Sequence, residues 1–377
     1  MTVHGYCDKR FEKAREVMAN SLASGADTGA SFSVTLNGET VVDIWGGFLD
    51  AEKTHPWKED TIVNVYSTTK TMSFLCALVL ADRGQLDFDR PVADYWPEFA
   101  ANGKAQVRVW HIMDHAAGLS GMDAMLKTED IYDWDKVCGL LAGQAPWWEP
   151  GTATAYHALT QGFLIGEIVR RISGKTIGQF FQEEIADPLK ADFFIGVPET
   201  EFHRIGNLIP PGKNTSIQVP GDEKSIASRT FRSPAIVAQD SWTPAWRKAE
   251  IPAANGHGNA RSVAKIHASL ACLGEAGGHR LFSEATARSV MKERISGIDM
   301  ALGAPMRFGL GFGLNSADMP LSPNANTCFW GGWGGSVIII DQDARLSMSY
   351  VMNKMYPGLM GDTRSGGFVA AVYEALA

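Results

Sequence analysis

Along the first fifty residues the hydrophobic positions change period. From Asp8 to Ser24, Phe11, Ala14, Val17, Met18 and Leu22 recur at helical spacing, and Gly25 is placed to stop the helix. Phe32, Val34 and Leu36 then alternate with polar residues. Asn37-Gly38 supplies a favoured two-residue turn, and Val41, Val42 and Ile44 follow, so this stretch predicts a β-hairpin. Thr69 to Asp82 is apolar nearly all round (Met72, Phe74, Leu75, Cys76, Leu78, Val79, Leu80), the pattern of a helix buried inside a protein, with Gly84 placed to end it.

From Asp87 to about Pro220 the signals are mostly helical and irregular. The clearest helix is predicted over Tyr156 to Ser173, with Leu159, Phe163, Ile165, Ile168, Val169 and Ile172 on its apolar face. Residues 207–250 are rich in Pro, Gly, Ser and Asn and read as long loops, which in a compact enzyme often carry function. Ser262 to Leu273 reads as another helix. The β pattern returns from Phe308, with strong strands at Val337–Ile340 and Leu346–Val351 joined by Asp341-Gln342-Asp343-Ala344. An amphipathic helix from about Gly367 to Leu376 closes the chain. These elements predict an α+β protein. Residues 1–86 and 225–377 would form a discontinuous α/β domain, an antiparallel sheet flanked by helices. Residues 87–224 would form an inserted, mostly helical domain, with the active site in the cleft between the two.

Charge and composition exclude some functions. Thirty-four Lys plus Arg against 42 Asp plus Glu leave a net charge of -8 over 377 residues, so no basic excess is available for general nucleic-acid binding. The densest apolar run, Phe74 to Ala81, is far short of the ~20 residues of a membrane span. The start, Met1-Thr2-Val3-His4-Gly5-Tyr6, lacks the pattern of a secretory signal. Cys7, Cys76, Cys138, Cys272 and Cys328 are odd in number and scattered, which points to a reducing compartment and a cytoplasmic location. No HExxH and no clustered carboxylates occur, so neither a metal nor another cofactor is expected. The expected partner is a small molecule, and self-association stays open.

Three segments can carry chemistry. In Ser67-Thr68-Thr69-Lys70 the hydroxyl and the amine stand three residues apart, on one face at the start of the buried helix. An amine in apolar surroundings loses its proton more readily and can act as a base. A helix N-terminus also offers N–H groups to a developing oxyanion. The plainer reading is an N-cap serine and a solvated lysine. Tyr156 follows Trp148-Glu149-Pro150-Gly151 at a loop-to-helix junction, where a phenol can relay a serine's proton or simply anchor the helix. Trp330-Gly331-Gly332-Trp333-Gly334-Gly335-Ser336 precedes a strand. So many glycines imply that something approaches the backbone closely, either a substrate along the sheet edge or a neighbouring segment of the chain.

Together these segments resemble the serine β-lactamase and penicillin-binding-protein superfamily, in the order and spacing of its class C branch. Nearer still, the chain resembles the β-lactamase-fold carboxylesterases called family VIII. Val109-Trp110-His111-Ile112-Met113-Asp114-His115-Ala116-Ala117-Gly118-Leu119 is similar to that group's Leu-Leu-Thr-His-Thr-Ser-Gly-Leu stretch, and Phe308-Gly309-Leu310-Gly311-Phe312-Gly313-Leu314 to its lead-in to the last strands. The resemblance implies Ser67 as nucleophile, Lys70 as its base and Tyr156 as the group that completes the proton relay. It places the oxyanion hole at the backbone N–H groups of Ser67 and Trp333.

The chain departs from the lactamase pattern twice. Trp330-Gly331-Gly332 stands where lactamases carry Lys-Thr-Gly, and Tyr156-His157-Ala158 where they carry Tyr-x-Asn. Losing the lysine and the amide removes partners for a substrate carboxylate and a peptide-like side chain, which favours neutral short to medium acyl esters. On this reading Trp330, Gly331, Gly332, His157 and Trp148 are candidate substrate-binding residues. His157 also reads as a hydrogen-bonded structural histidine, as do His115 and His257. Some of Trp147, Trp148, Trp242, Trp246 and Phe231 would line an apolar pocket. An amidase, β-lactamase or D,D-peptidase, an acyltransferase, and a non-catalytic binding protein are the rival readings. The Gly-x-Ser-x-Gly elbow of α/β-hydrolases is absent around Ser67.

Overall fold

A nine-stranded antiparallel sheet organises the computed structural model, which describes residues 2–212, 216–217 and 222–377. The N-terminal part supplies β1 (Val3–Cys7), β2 (Gly29–Leu36) and β3 (Glu39–Gly47). The C-terminal part supplies β4 (Ile295–Ile298), β5 (Pro305–Gly309), β6 (Phe312–Leu314), β7 (Thr327–Gly331), β8 (Val337–Asp341) and β9 (Leu346–Met352). Their order in space is β1-β3-β2-β9-β8-β7-β6-β5-β4. The two ends of the chain therefore meet inside the sheet, where β2 pairs with β9 from Leu36 opposite Leu346 to Ala30 opposite Met352. The β2–β3 turn has φ of +52° at Asn37 and +82° at Gly38, the left-handed pair that a type I′ turn demands.

The longer helices are α1 (Glu12–Ser24), α2 (Lys70–Asp82), α3 (Thr160–Ser173), α4 (Ala260–Ala271) and α5 (Thr363–Leu376). Strand parity decides what each sheet face meets. Phe32 of β2 stacks on Phe368 of α5 at 4.3 Å between ring centroids. Its neighbour Ser31 points the other way and accepts a hydrogen bond from the Ala260 N–H at the start of α4. Ser347 of β9 donates to the Ala264 carbonyl on the same face. Small hydroxyl residues on this face thus let α4 approach the strands closely. α2 is buried at every residue from Lys70 to Leu80 and packs against α3 and the sheet, with Phe74 edge-on to Phe312.

A second, small sheet joins the two halves. Ile62–Asn64 pairs with His257–Gly258 and with Ile205–Gly206, and Phe193–Phe194 also pairs with His257–Gly258. The chain thus returns to the segment leading into Ser67 at Ile205–Gly206, ahead of residue 225, where the order of predicted elements places the boundary. Pairing between distant segments, which local pattern does not report, sets this return.

Other boundaries differ for local reasons. The helix expected from Tyr156 begins at Thr160, so Tyr156 lies in the preceding loop. β1 and β4 were not expected, because both are largely exposed and lack an apolar alternation. α5 starts at Thr363, where the Asp362 side chain accepts from the Arg364 N–H. The predicted loop at 207–250 contains short helices at Ile226–Phe231 and Pro244–Lys248, each capped by the preceding Ser225 or Thr243. Residues 213–215 and 218–221 of that loop lie outside the described residues. The five cysteines are free, and four are buried. Among the described residues no helix is long and apolar enough to cross a membrane.

Candidate active site

Ser67 sits in a 3₁₀ turn, Tyr66–Thr69, that runs from the small sheet into α2. Tyr66 has φ of +43°, a left-handed conformation that costs a bulky residue on the order of 1–3 kcal/mol. The surroundings hold it there. Its ring is buried against Trp333 at 4.9 Å and Trp246 at 6.3 Å. The Thr69 hydroxyl donates to the Tyr66 carbonyl and accepts from the Gly256 N–H. This turn aims the Ser67 side chain out of the core into a cavity.

Lys70 is fully buried one turn further on. Its Nζ lies 3.2 Å from Ser67 Oγ and 2.8 Å from Tyr156 Oη. It also donates to the carbonyls of Ala158 at 2.7 Å and Ala253 at 3.0 Å. Burial, with no acid to offset it, holds the amine well below the usual lysine range. A neutral amine has two N–H groups and one lone pair. The carbonyls can only accept, so they take the two N–H groups, and the lone pair is left facing Ser67 and Tyr156. The carbonyls thus orient the amine as well as satisfying it.

Tyr156 Oη makes a short hydrogen bond with Ser67 Oγ. Burial pushes its phenol up, so the group stays protonated and available as a donor. The backbone around it is clamped on three sides. The Ala155 N–H donates to the His115 carbonyl, the His157 N–H to His115 Nδ1, and the Tyr156 N–H to Asp299 Oδ1. Asp299 also accepts from the N–H groups of Ala301 and Leu302, and burial pushes its carboxyl up. Sequence reasoning missed Asp299, because no spacing connects a lone aspartate to a tyrosine 143 positions away. His115 was expected to be structural and is buried, yet it grips the backbone on both sides of Tyr156.

Trp333 follows β7, and its ring packs on Tyr66 at the cavity wall. Among the described residues neither its N–H nor that of Ser67 donates to a backbone acceptor. The glycines before it serve chain packing and not substrate. A Cβ on Gly332 would stand 2.1 Å from the Val65 carbonyl oxygen, and one on Gly331 would stand 2.8 Å from Met360 Cα. Gly332 therefore lets the segment just after the Ile62–Asn64 strand press against the end of β7, which brings Trp333 alongside Ser67.

The cavity holds about 230 Å³. Ser67, Tyr156 and Trp333 line it together, and Ile217, Phe231, Pro234, Ile236 and Leu359 give it an apolar character. The expected substrate-binding residues Trp330, Gly331, Gly332, His157 and Trp148 do not line it. Strand parity turns Trp330 inward, where it is 1% exposed, stacked on His115 at 5.3 Å and edge-on to Phe74 at 6.2 Å. The ring of His157 accepts from the Leu119 N–H and donates to the Ala155 carbonyl, and burial lowers its pKa to about 3. It is a structural histidine. Trp148 lies behind it and donates to the Ala153 carbonyl. Of the five loop aromatics, Phe231 lines the cavity, whereas Trp246 is core and holds Asn64. Much of the lining comes from residues 216, 217 and 228–236, where side-chain pattern offered no signal beyond loop composition.

Known proteins share this fold. The sequence pattern of the beta-lactamase family matches residues 14–368. The esterase/beta-lactamase LipL of Mycobacterium tuberculosis is 33% identical over 97% of this chain and 86% of its own. The crystal structure of a family VIII carboxylesterase superposes over the whole of both chains with a TM-score of 0.94 and 40% identity. A penicillin-binding-protein homologue from Caulobacter crescentus superposes equally completely, with a TM-score of 0.93 and 36% identity. The superposition spans the whole chain, the Ser67 turn included, and on that footing the chain belongs to the beta-lactamase family and is a serine hydrolase with the β-lactamase-like fold.

Proposed function

We propose that this protein is a carboxylesterase that hydrolyses short to medium, uncharged acyl esters through an acyl-enzyme on Ser67. The observation that carries the reading is the Lys70 amine. It is buried, has no acid beside it, and is oriented by the Ala158 and Ala253 carbonyls toward Ser67 Oγ and Tyr156 Oη. An amine held neutral and aimed in this way is a base for the serine.

In the first half-reaction Ser67 Oγ attacks the ester carbonyl carbon and its proton passes to Lys70 Nζ. The carbonyl oxygen gains negative charge opposite the N–H groups of Ser67 and Trp333. Collapse of this adduct breaks the bond to the alcohol oxygen, which takes a proton relayed from Lys70 through Tyr156 Oη. Water then attacks the acyl-serine with the same groups in reversed roles, and acid leaves. The apolar wall and the modest volume favour a small acyl group. Ala158 contributes only its carbonyl, which Lys70 occupies, so no side-chain amide is present there for a peptide-like substrate. The names of similar proteins, the LipL esterase/beta-lactamase and the esterase EstB of Burkholderia gladioli, support the same reading.

The test is a panel of p-nitrophenyl esters from acetate to decanoate set beside nitrocefin. Efficient turnover of the shorter esters and poor turnover of nitrocefin is expected. A protein that cleaves nitrocefin as well as it cleaves p-nitrophenyl butyrate would overturn the ester preference.

A further inference from the structure

The cavity wall contains one charged side chain among the described residues, Arg232. It follows the short helix Ile226–Phe231, beside Phe231, and its side chain is exposed at the mouth. Arg229, three residues earlier, is fully engaged. It donates to Asp123 Oδ1 at 2.9 Å and lies over the Trp147 ring at 3.8 Å. Among the described residues Arg232 has no such carboxylate and no ring beneath it. Its guanidinium therefore keeps its planar donors free for a ligand, and a carboxylate matches them in a bidentate pair. The rest of the lining is apolar or hydroxylic, so nothing in it competes for an anion on the substrate.

We infer that Arg232 selects esters whose alcohol portion carries an ionised carboxylate that reaches the mouth while the uncharged acyl group fills the cavity. The chain lacks the lactamase lysine at Trp330. It instead brings a cation to the cavity lining at Arg232. This inference rests on Ser67 being an ester-cleaving nucleophile, and it adds the charge class of the substrate.

Two matched pairs test it, 4-butyryloxybenzoate against 4-butyryloxybenzamide and p-nitrophenyl hydrogen glutarate against p-nitrophenyl butyrate. The first pair places the charge on the alcohol and the second on the acyl group. The readout is the anionic-to-neutral ratio of kcat/KM in wild type, Arg232→Ala and Arg232→Lys. In the first pair the ratio should fall about fivefold or more in Arg232→Ala, the size of a partly exposed charge-assisted contact. Arg232→Lys should restore it in part, and about 0.5 M salt should shrink the difference. A ratio that Arg232→Ala leaves unchanged in the first pair, or a fall confined to the second, overturns the inference. The ester reading would fail separately, by wild-type protein cleaving none of the four compounds.

Discussion

Replacing Lys70 with Met keeps the length and apolar stem of the side chain and removes the amine. In the unfolded chain that amine titrates near ~10.4. In the fold burial depresses it. Between the two values the unfolded chain binds one proton more than the folded one, so this group makes stability rise with pH by about 1.4 kcal/mol per unit. The contribution is lost as pH falls below ~10.4, and the Met variant lacks it altogether. The variant also strips the donor from the Ala158 and Ala253 carbonyls, at roughly 1–3 kcal/mol each at any pH. The stability of wild type relative to Lys70→Met should therefore grow as pH rises from about 7 to about 9, by at most about 1.4 kcal/mol per unit. Urea unfolding at the two pH values measures it. The same variant should lose at least ~10²-fold in kcat. Parallel pH–stability curves would mean that Lys70 is charged in the fold, and it could not then be the base.

Ser67→Ala should abolish hydrolysis, and mass spectrometry after a fluorophosphonate probe should find the adduct on Ser67; an adduct on Ser120 or Ser336 would displace the nucleophile. Tyr156→Phe should lower kcat by at least ~10²-fold while stability drops by only about 1 kcal/mol, since the ring keeps its packing against His115. Asp299→Ala should lower kcat about tenfold with KM little changed, and Asp299→Asn should recover most of it. That estimate takes the loss as about 1.4 kcal/mol of transition-state alignment, and equal losses in both variants would deny Asp299 a positioning role. Trp330→Ala opens the core and should cost about 3–5 kcal/mol in chemical denaturation, with KM on folded protein near that of wild type. A large rise in KM for bulky esters would instead return Trp330 to the acyl site.

Ser67 and Lys70 were legible because their relation is local: three residues along a helix start fixes which groups meet. Tyr156 and Trp333 became legible through resemblance, since only the fold brings them to Ser67. Trp330 was misplaced for a reason that composition hides. A strand alternates its faces, and the parity of β7 cannot be read from a run of glycines and tryptophans that suits either face. The hairpin, the buried helix and the last two strands followed their periodicities closely. The exposed strands β1 and β4 did not, because an edge that buries little has no pattern to show. Asp299 and the Ala158 and Ala253 carbonyls lay beyond sequence reasoning, because their work is done by hydrogen bonds between distant or main-chain atoms.

The seam where β2 meets β9 has a consequence for how the protein is made. On a ribosome Ser67 emerges early, but its sheet cannot close until Met352 has left the tunnel, because β9 must slot between β2 and β8. Contacts this distant in the chain form slowly, and the strands waiting for them expose unpaired edges. The nascent nucleophile also lacks Trp333 until late in synthesis. Reactivity should therefore switch on only with nearly the last element translated. Truncation just before Leu346 should leave a chain that binds chaperones and takes no fluorophosphonate, although it contains every residue of the catalytic set.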